Sequence, residues 1–148
     1  MPQFARPSTD TTRDNWLTAA DGTANIFQEI DESSANDTDY IKTQLTPTSD
    51  VYVTKLTSVA DPLSSANHVV RYRYRKESTG GEQIDLTVQL RQGYTNEGAQ
   101  GTLIATAGTH VDIPGGAWTA GSYTLSGGEA DAITNYGDLF LRFVGNKV

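Results

Sequence analysis

Two stretches of this chain alternate with a period of two, and that alone restricts the fold more than any other feature. In His68-Val69-Val70-Arg71-Tyr72-Arg73-Tyr74-Arg75-Lys76, the side chains of Val70, Tyr72 and Tyr74 share one face and Arg71, Arg73 and Arg75 the other. In Ile84-Asp85-Leu86-Thr87-Val88-Gln89-Leu90-Arg91, an apolar set (Ile84, Leu86, Val88, Leu90) alternates with a polar one. Side chains point to opposite faces along a strand, so each stretch predicts a strand with one dry face. Between them, Ser78-Thr79-Gly80-Gly81-Glu82 has the chemistry of a turn. The expected arrangement is therefore a hairpin. Matching the dry faces pairs Tyr74 with Leu86, Tyr72 with Val88 and Val70 with Leu90, and sets Arg75 opposite Asp85.

Further strands are predicted at Ile26–Ile30, Val51–Thr57, Thr102–Ala107, Thr109–Ile113, Ala120–Leu125 and Leu139–Val144, with a first short one beginning at Trp16-Leu17. They are separated by clusters of Gly, Pro, Asn, Asp and Ser, the pattern of an antiparallel sandwich or barrel. One short helix is expected after Ser126, because Ser126-Gly127-Gly128-Glu129 fits a capping box. Asp37–Lys42 is a second candidate turn. Residues 1–13 hold two prolines and several Ser/Thr without periodicity and read as an extended N-terminal arm, either loose or laid on a neighbouring subunit. Residues 14–148 contain no repeat or linker, so one β-sandwich domain is expected there.

The chain of 148 residues has no cysteine, which removes disulfides, thiolate metal sites and cysteine nucleophiles. Its formal charge is −7, against the positive footprint of a nucleic-acid binder. No apolar run reaches the roughly 20 residues of a membrane helix. The N-terminus lacks the apolar stretch of a secretory signal, so the expectation is a product made and kept in the cytoplasm unless it leaves inside a larger particle.

The two histidines, His68 and His110, have no Gly-x-Ser-x-Gly elbow or other partner motif around them, and no enzyme, cofactor or metal site is predicted. Glu29, Asp31, Glu32, Asp37 and Asp39 form an acidic loop. It reads as a solvated loop, with calcium as the alternative, although the spacing is not that of an EF-hand. The basic ladder is more informative. Residues 71–76 carry a net +4 between segments of −6 and −5. Arg71, Arg73, Arg75 and Lys76 are thus candidate contacts to an acidic partner surface, or are paired with local acids. Phe4 and Arg6 on the arm are the second candidate contact. Exposed aromatic rings stack on sugars, which makes Trp118 and Tyr94, with Trp16 and Tyr123, candidate glycan contacts in the alternative reading; core or rim packing is the favoured one, since tryptophan is highly buried on average.

Several ordered segments resemble small virion proteins of tailed bacteriophages. They include Ile30-Asp31-Glu32, Asp39-Tyr40-Ile41, Asp61-Pro62, the ladder from His68 to Lys76, Thr102-Leu103-Ile104-Ala105, Trp118-Thr119, and Leu125-Ser126 followed by Glu129 to Leu139. The resemblance extends over nearly everything from Trp16 onward. It is a likeness to virion structural proteins and to jelly-roll capsid cement or decoration proteins. It implies an all-β chain, an antiparallel β-sandwich of jelly-roll type with one short helix, located in the virion. It also implies binding to the major capsid protein or other virion proteins, with self-association as a dimer or trimer. A carbohydrate-binding or tail-associated module for host attachment is the alternative role. No catalytic residue is carried by the likeness.

Overall fold

The computed structural model describes residues 1–77 and 81–148. Among them nine strands run in chain order: β1 (Pro7–Arg13), β2 (Leu17–Thr18), β3 (Ile41–Lys42), β4 (Asp50–Leu56), β5 (Val69–Tyr74), β6 (Ile84–Gln92), β7 (Thr102–His110), β8 (Thr119–Thr124) and β9 (Leu139–Lys147). The main sheet has five strands in the order β1-β4-β9-β6-β7, and β2-β3 and β5-β8 form two small sheets. Among the described residues, every pairing between these strands is antiparallel. The expected mostly β chain with antiparallel sheets and one short helix is what the structure contains.

Alternation decides the faces of the main sheet. Tyr52 and Leu56 of β4, Leu86, Val88 and Leu90 of β6, and Leu139, Leu141 and Phe143 of β9 belong to one core. The intervening residues Val51, Val53 and Phe140 turn to the opposite face, where buried Tyr94 covers them. The small sheet β5-β8 packs onto the first core through Val70, Tyr72 and Tyr74. The alternation of this ladder is therefore as the sequence indicates: tyrosines inward, Arg71 and Arg73 outward.

The pairing of the two alternating strands is not as expected. β5 pairs with β8 (Val70↔Tyr123, Tyr72↔Gly121), while β6 pairs with β7 and β9. Alternation fixes which face of a strand is dry, but two strands in opposing layers also bring dry faces together. Arg75 does not meet Asp85, whose carboxylate instead accepts from the Asp112 N–H at 2.9 Å and the Gln83 amide at 3.0 Å. Ser78, Thr79 and Gly80 of the expected turn lie outside the described residues.

Three other expectations change. Ile26–Ile30 is no strand: Ile26–Glu29 is a 3₁₀ helix entered through Asn25 at φ 52°. Its first N–H groups, from Ile26 and Phe27, both donate to the Asp10 carboxylate at 2.9 Å, so a distant acid outweighs the β-branched residues. Thr102–Ala107 and Thr109–Ile113 are largely one strand, β7, which ends at His110 and follows β6 through two register shifts. Residues 1–13 are not an arm from end to end. Pro7–Arg13 is the edge strand of this chain's own main sheet, and residues before it are fastened by Gln3, whose side chain accepts from and donates to the Ala60 backbone.

The helix α1 (Gly127–Asp131) starts with the anticipated capping box. The Ser126 hydroxyl accepts from the Glu129 N–H, and the Glu129 carboxylate accepts from the Ser126 N–H at 2.7 Å. At Asp37–Lys42 the chain makes a turn and then enters β3.

Candidate functional site

The basic ladder is mostly satisfied by its own chain. Arg73 makes a two-pronged pair with Asp37, with both N···O distances 2.7 Å. Arg75 donates to the Gly116 carbonyl at 3.0 Å, and its guanidinium carbon lies 5.0 Å from the Trp118 ring centroid and 5.8 Å from that of Tyr40. Tyr40 and Trp118 in turn lie 5.5 Å apart. Lys76 pairs with Asp112 at 2.7 Å. Arg71 is different: its side chain is exposed and has no partner among the described residues. The ladder reads as a uniform stripe in sequence, but among the described residues it is one cation without a partner, Arg71, beside three engaged ones.

The other candidates are distributed across the molecule. Phe4 is exposed, with the Arg6 guanidinium 5.3 Å from its ring centroid. Arg6 is anchored by its backbone, whose carbonyl accepts from the Thr57 N–H at 2.7 Å. Trp118 is half-buried and packs against Arg75 and Tyr40, so it does not stand clear on a loop rim. Tyr94 is 4% exposed and is no sugar platform. Its hydroxyl donates to Glu97 and meets the Thr12 hydroxyl, each at 2.8 Å, and burial pushes its pKa up to about 12. Trp16 is buried, with its indole N–H donating to the Asp50 carbonyl at 3.0 Å. The Tyr123 hydroxyl donates to Glu129 at 2.9 Å.

Both histidines pack against tyrosine rings. His68 Nε2 hydrogen-bonds the Tyr136 hydroxyl at 2.7 Å. His110 stacks on Tyr74 at 4.1 Å, and its Nε2 lies 2.6 Å from the Tyr72 hydroxyl. Burial lowers the His110 pKa, favouring the neutral ring. In the acidic loop, burial and the neighbouring Asp39 raise the pKa values of Glu29 and Glu32. No group of three or more metal-ligating side chains with suitable placement occurs among the described residues.

What the sequence did not reveal is a cleft of about 1820 Å³. Its floor is the inner face of the main sheet, where Leu141 and Phe143 are half-buried and Leu86 and Leu90 are buried. Loop 29–45 forms one wall and β5 another. Asp37 and Arg73 both line it, so their ion pair ties the loop to the strand.

β5 presents an open edge here. The Leu125 N–H donates to the His68 carbonyl at 2.9 Å, which makes 68, 70, 72 and 74 the residues bonded to β8. The N–H and C=O groups of Val69, Arg71 and Arg73 point the other way and have no partner among the described residues. The small sheet therefore ends on a strand with unpaired backbone groups beside an apolar floor.

No family model matches the chain, and neither does any curated protein or solved structure.

Proposed function

We propose that this chain is a structural protein of a phage virion, a capsid cement or decoration protein that binds the major capsid protein shell and stabilises it. Two things support the reading. The first is the likeness of the segments from Trp16 onward to such proteins. The second, which carries it, is the mismatch between a five-stranded sheet and the two-stranded sheet facing it, with an apolar cleft left between. An apolar recess of that size is larger than the roughly 300–1,000 Å³ of ordinary small-molecule pockets and suits a polypeptide.

In this reading the two layers are a jelly-roll sandwich with a short second sheet, and the chain is not an enzyme. Its action is passive. A stiff β body bridges neighbouring capsid subunits and adds buried area at their seams, and association as a dimer or trimer at a symmetry axis repeats one small interface over the shell. With a charge of −7 it binds protein rather than nucleic acid. It is made in the host cytoplasm and resides in the virion.

The test is a mass-spectrometric census of purified particles, followed by addition of the purified chain to shells lacking it. Many copies per particle, saturable binding and a raised shell melting temperature are expected. Absence from particles, or shells that melt unchanged, would overturn the proposal.

A further inference from the structure

We infer that the open edge of β5 receives an extended segment of another protein as a third strand of the small sheet, and that this segment alternates apolar with acidic residues. This rests on the reading of the chain as a protein-binding component and specifies how the binding is made.

The backbone supplies the first argument. Val69, Arg71 and Arg73 each offer an N–H and C=O that are unpaired among the described residues along one edge, the hydrogen-bonding pattern to which an incoming strand adds. Over the six residues of β5 such a strand would run about 20 Å. The second argument is the floor. A strand docked there turns every other side chain toward the half-buried Leu141 and Phe143 of the main sheet. The third is charge. The remaining side chains emerge on the face that carries Arg71 and Arg73. Arg71 is exposed and has no partner among the described residues, and Arg73 is held by an exposed Asp37 that a carboxylate of the incoming segment can replace. Acidic residues at those positions complete the match.

The same charges argue against a second copy of this chain. Two β5 edges pairing antiparallel about Arg71 would set Arg71 opposite Arg71, a repulsive pairing, and exposed charges on edge strands are a common guard against self-pairing. The chain's own N-terminal residues are also committed, from Gln3 at Ala60 to Pro7 in β1.

The experiment selects extended peptides from a displayed random library on the full chain. It then maps amide hydrogen exchange with the best synthetic peptide bound. Expected are peptides alternating apolar and acidic residues, with exchange slowed at Val69, Arg71 and Arg73. Arg71→Pro removes an edge N–H that β8 does not use, so the fold is kept while peptide affinity falls about tenfold or more. If that variant melts, Arg71→Glu carries the test by shifting selection from acidic to basic peptides. No enriched peptide, protection confined to another surface, affinity indifferent to both variants, or cross-links joining β5 to β5 of a second copy would each overturn the inference. Chain that still enters particles with Arg71→Pro would sink this inference and leave the virion reading standing; peptide binding by a chain absent from particles would do the reverse.

Discussion

The hydroxyl end of Tyr72 fills the space that a side chain on Gly108 would need. A Cβ there would collide with that hydroxyl and with His110, and a Cβ on Gly121 would collide with the Tyr72 ring. Tyr72 thus crosses from β5 to β7 through two positions kept empty, and its hydroxyl lies 3.2 Å from the Ala107 carbonyl as well as against His110.

Replacing either glycine by alanine should therefore be costly. Gly108→Ala and Gly121→Ala are each expected to destabilise by about 1–3 kcal/mol, the usual range for an overpacked interior. Gly128→Ala is the control. It lies within α1 with nothing within 4 Å of the added carbon, so it should be neutral or gain up to about 1 kcal/mol in helix propensity. Thermal melts of the three variants decide the matter.

Asp10 is the second structural pivot. Its carboxylate accepts from Ile26 N–H, Phe27 N–H and the Tyr52 hydroxyl, the last at 2.8 Å. Tyr52 is fully buried, so Asp10→Ala takes the carboxylate acceptor from its hydroxyl and from the Ile26 and Phe27 N–H groups, and is expected to cost about 2 kcal/mol or more. Asp10→Asn keeps an acceptor and should lose less. Urea titration gives the energies, and limited proteolysis should show earlier cutting at residues 26–30 in the alanine variant.

Two pH effects of opposite sign are built into the fold. The Arg142 guanidinium, 2.6 Å from the Glu97 carboxylate, holds the Glu97 pKa below its ordinary value. That contribution is present above the unfolded pKa and is lost as pH falls through the folded one. Glu97→Gln should be less stable than the parent at neutral pH, with the difference shrinking in acid.

Glu29 and Glu32 behave inversely. Their pKa values are raised, so their contribution is complete below the unfolded value and lost as pH rises through the folded values. At neutral pH the two carboxylates burden the loop together with Asp39. The double variant Glu29→Gln, Glu32→Gln should be more stable than the parent at pH 7 and indistinguishable from it in acid. Melting temperature against pH for both variants checks the two signs.

The sequence made the faces legible and the neighbours illegible. Val70, Tyr72 and Tyr74 turn inward because a period of two survives in any sheet. The capping box at Ser126 was readable because all its parts lie within four residues. The choice of β8 over β6 as the partner of β5 depends on layers that no local pattern encodes. The Asp10 cap, 16 residues from Ile26, and the Asp37–Arg73 pair, 36 residues apart, were hidden for the same reason. Tyr94 packs, as the favoured sequence reading has it, but its partners Val51, Val53 and Phe140 come from the opposite face of the main sheet, which no local pattern names. The cleft is a space between layers, so it had no sequence of its own to betray it.

The middle position of the main sheet is held by β9, the last strand in chain order, flanked by β4 and β6. During synthesis both of those strands must therefore wait, apolar and open-edged, until the ribosome has released residues up to 147. A nascent or prematurely ended chain would present two sticky borders at once, which a chain whose central strand emerges early avoids.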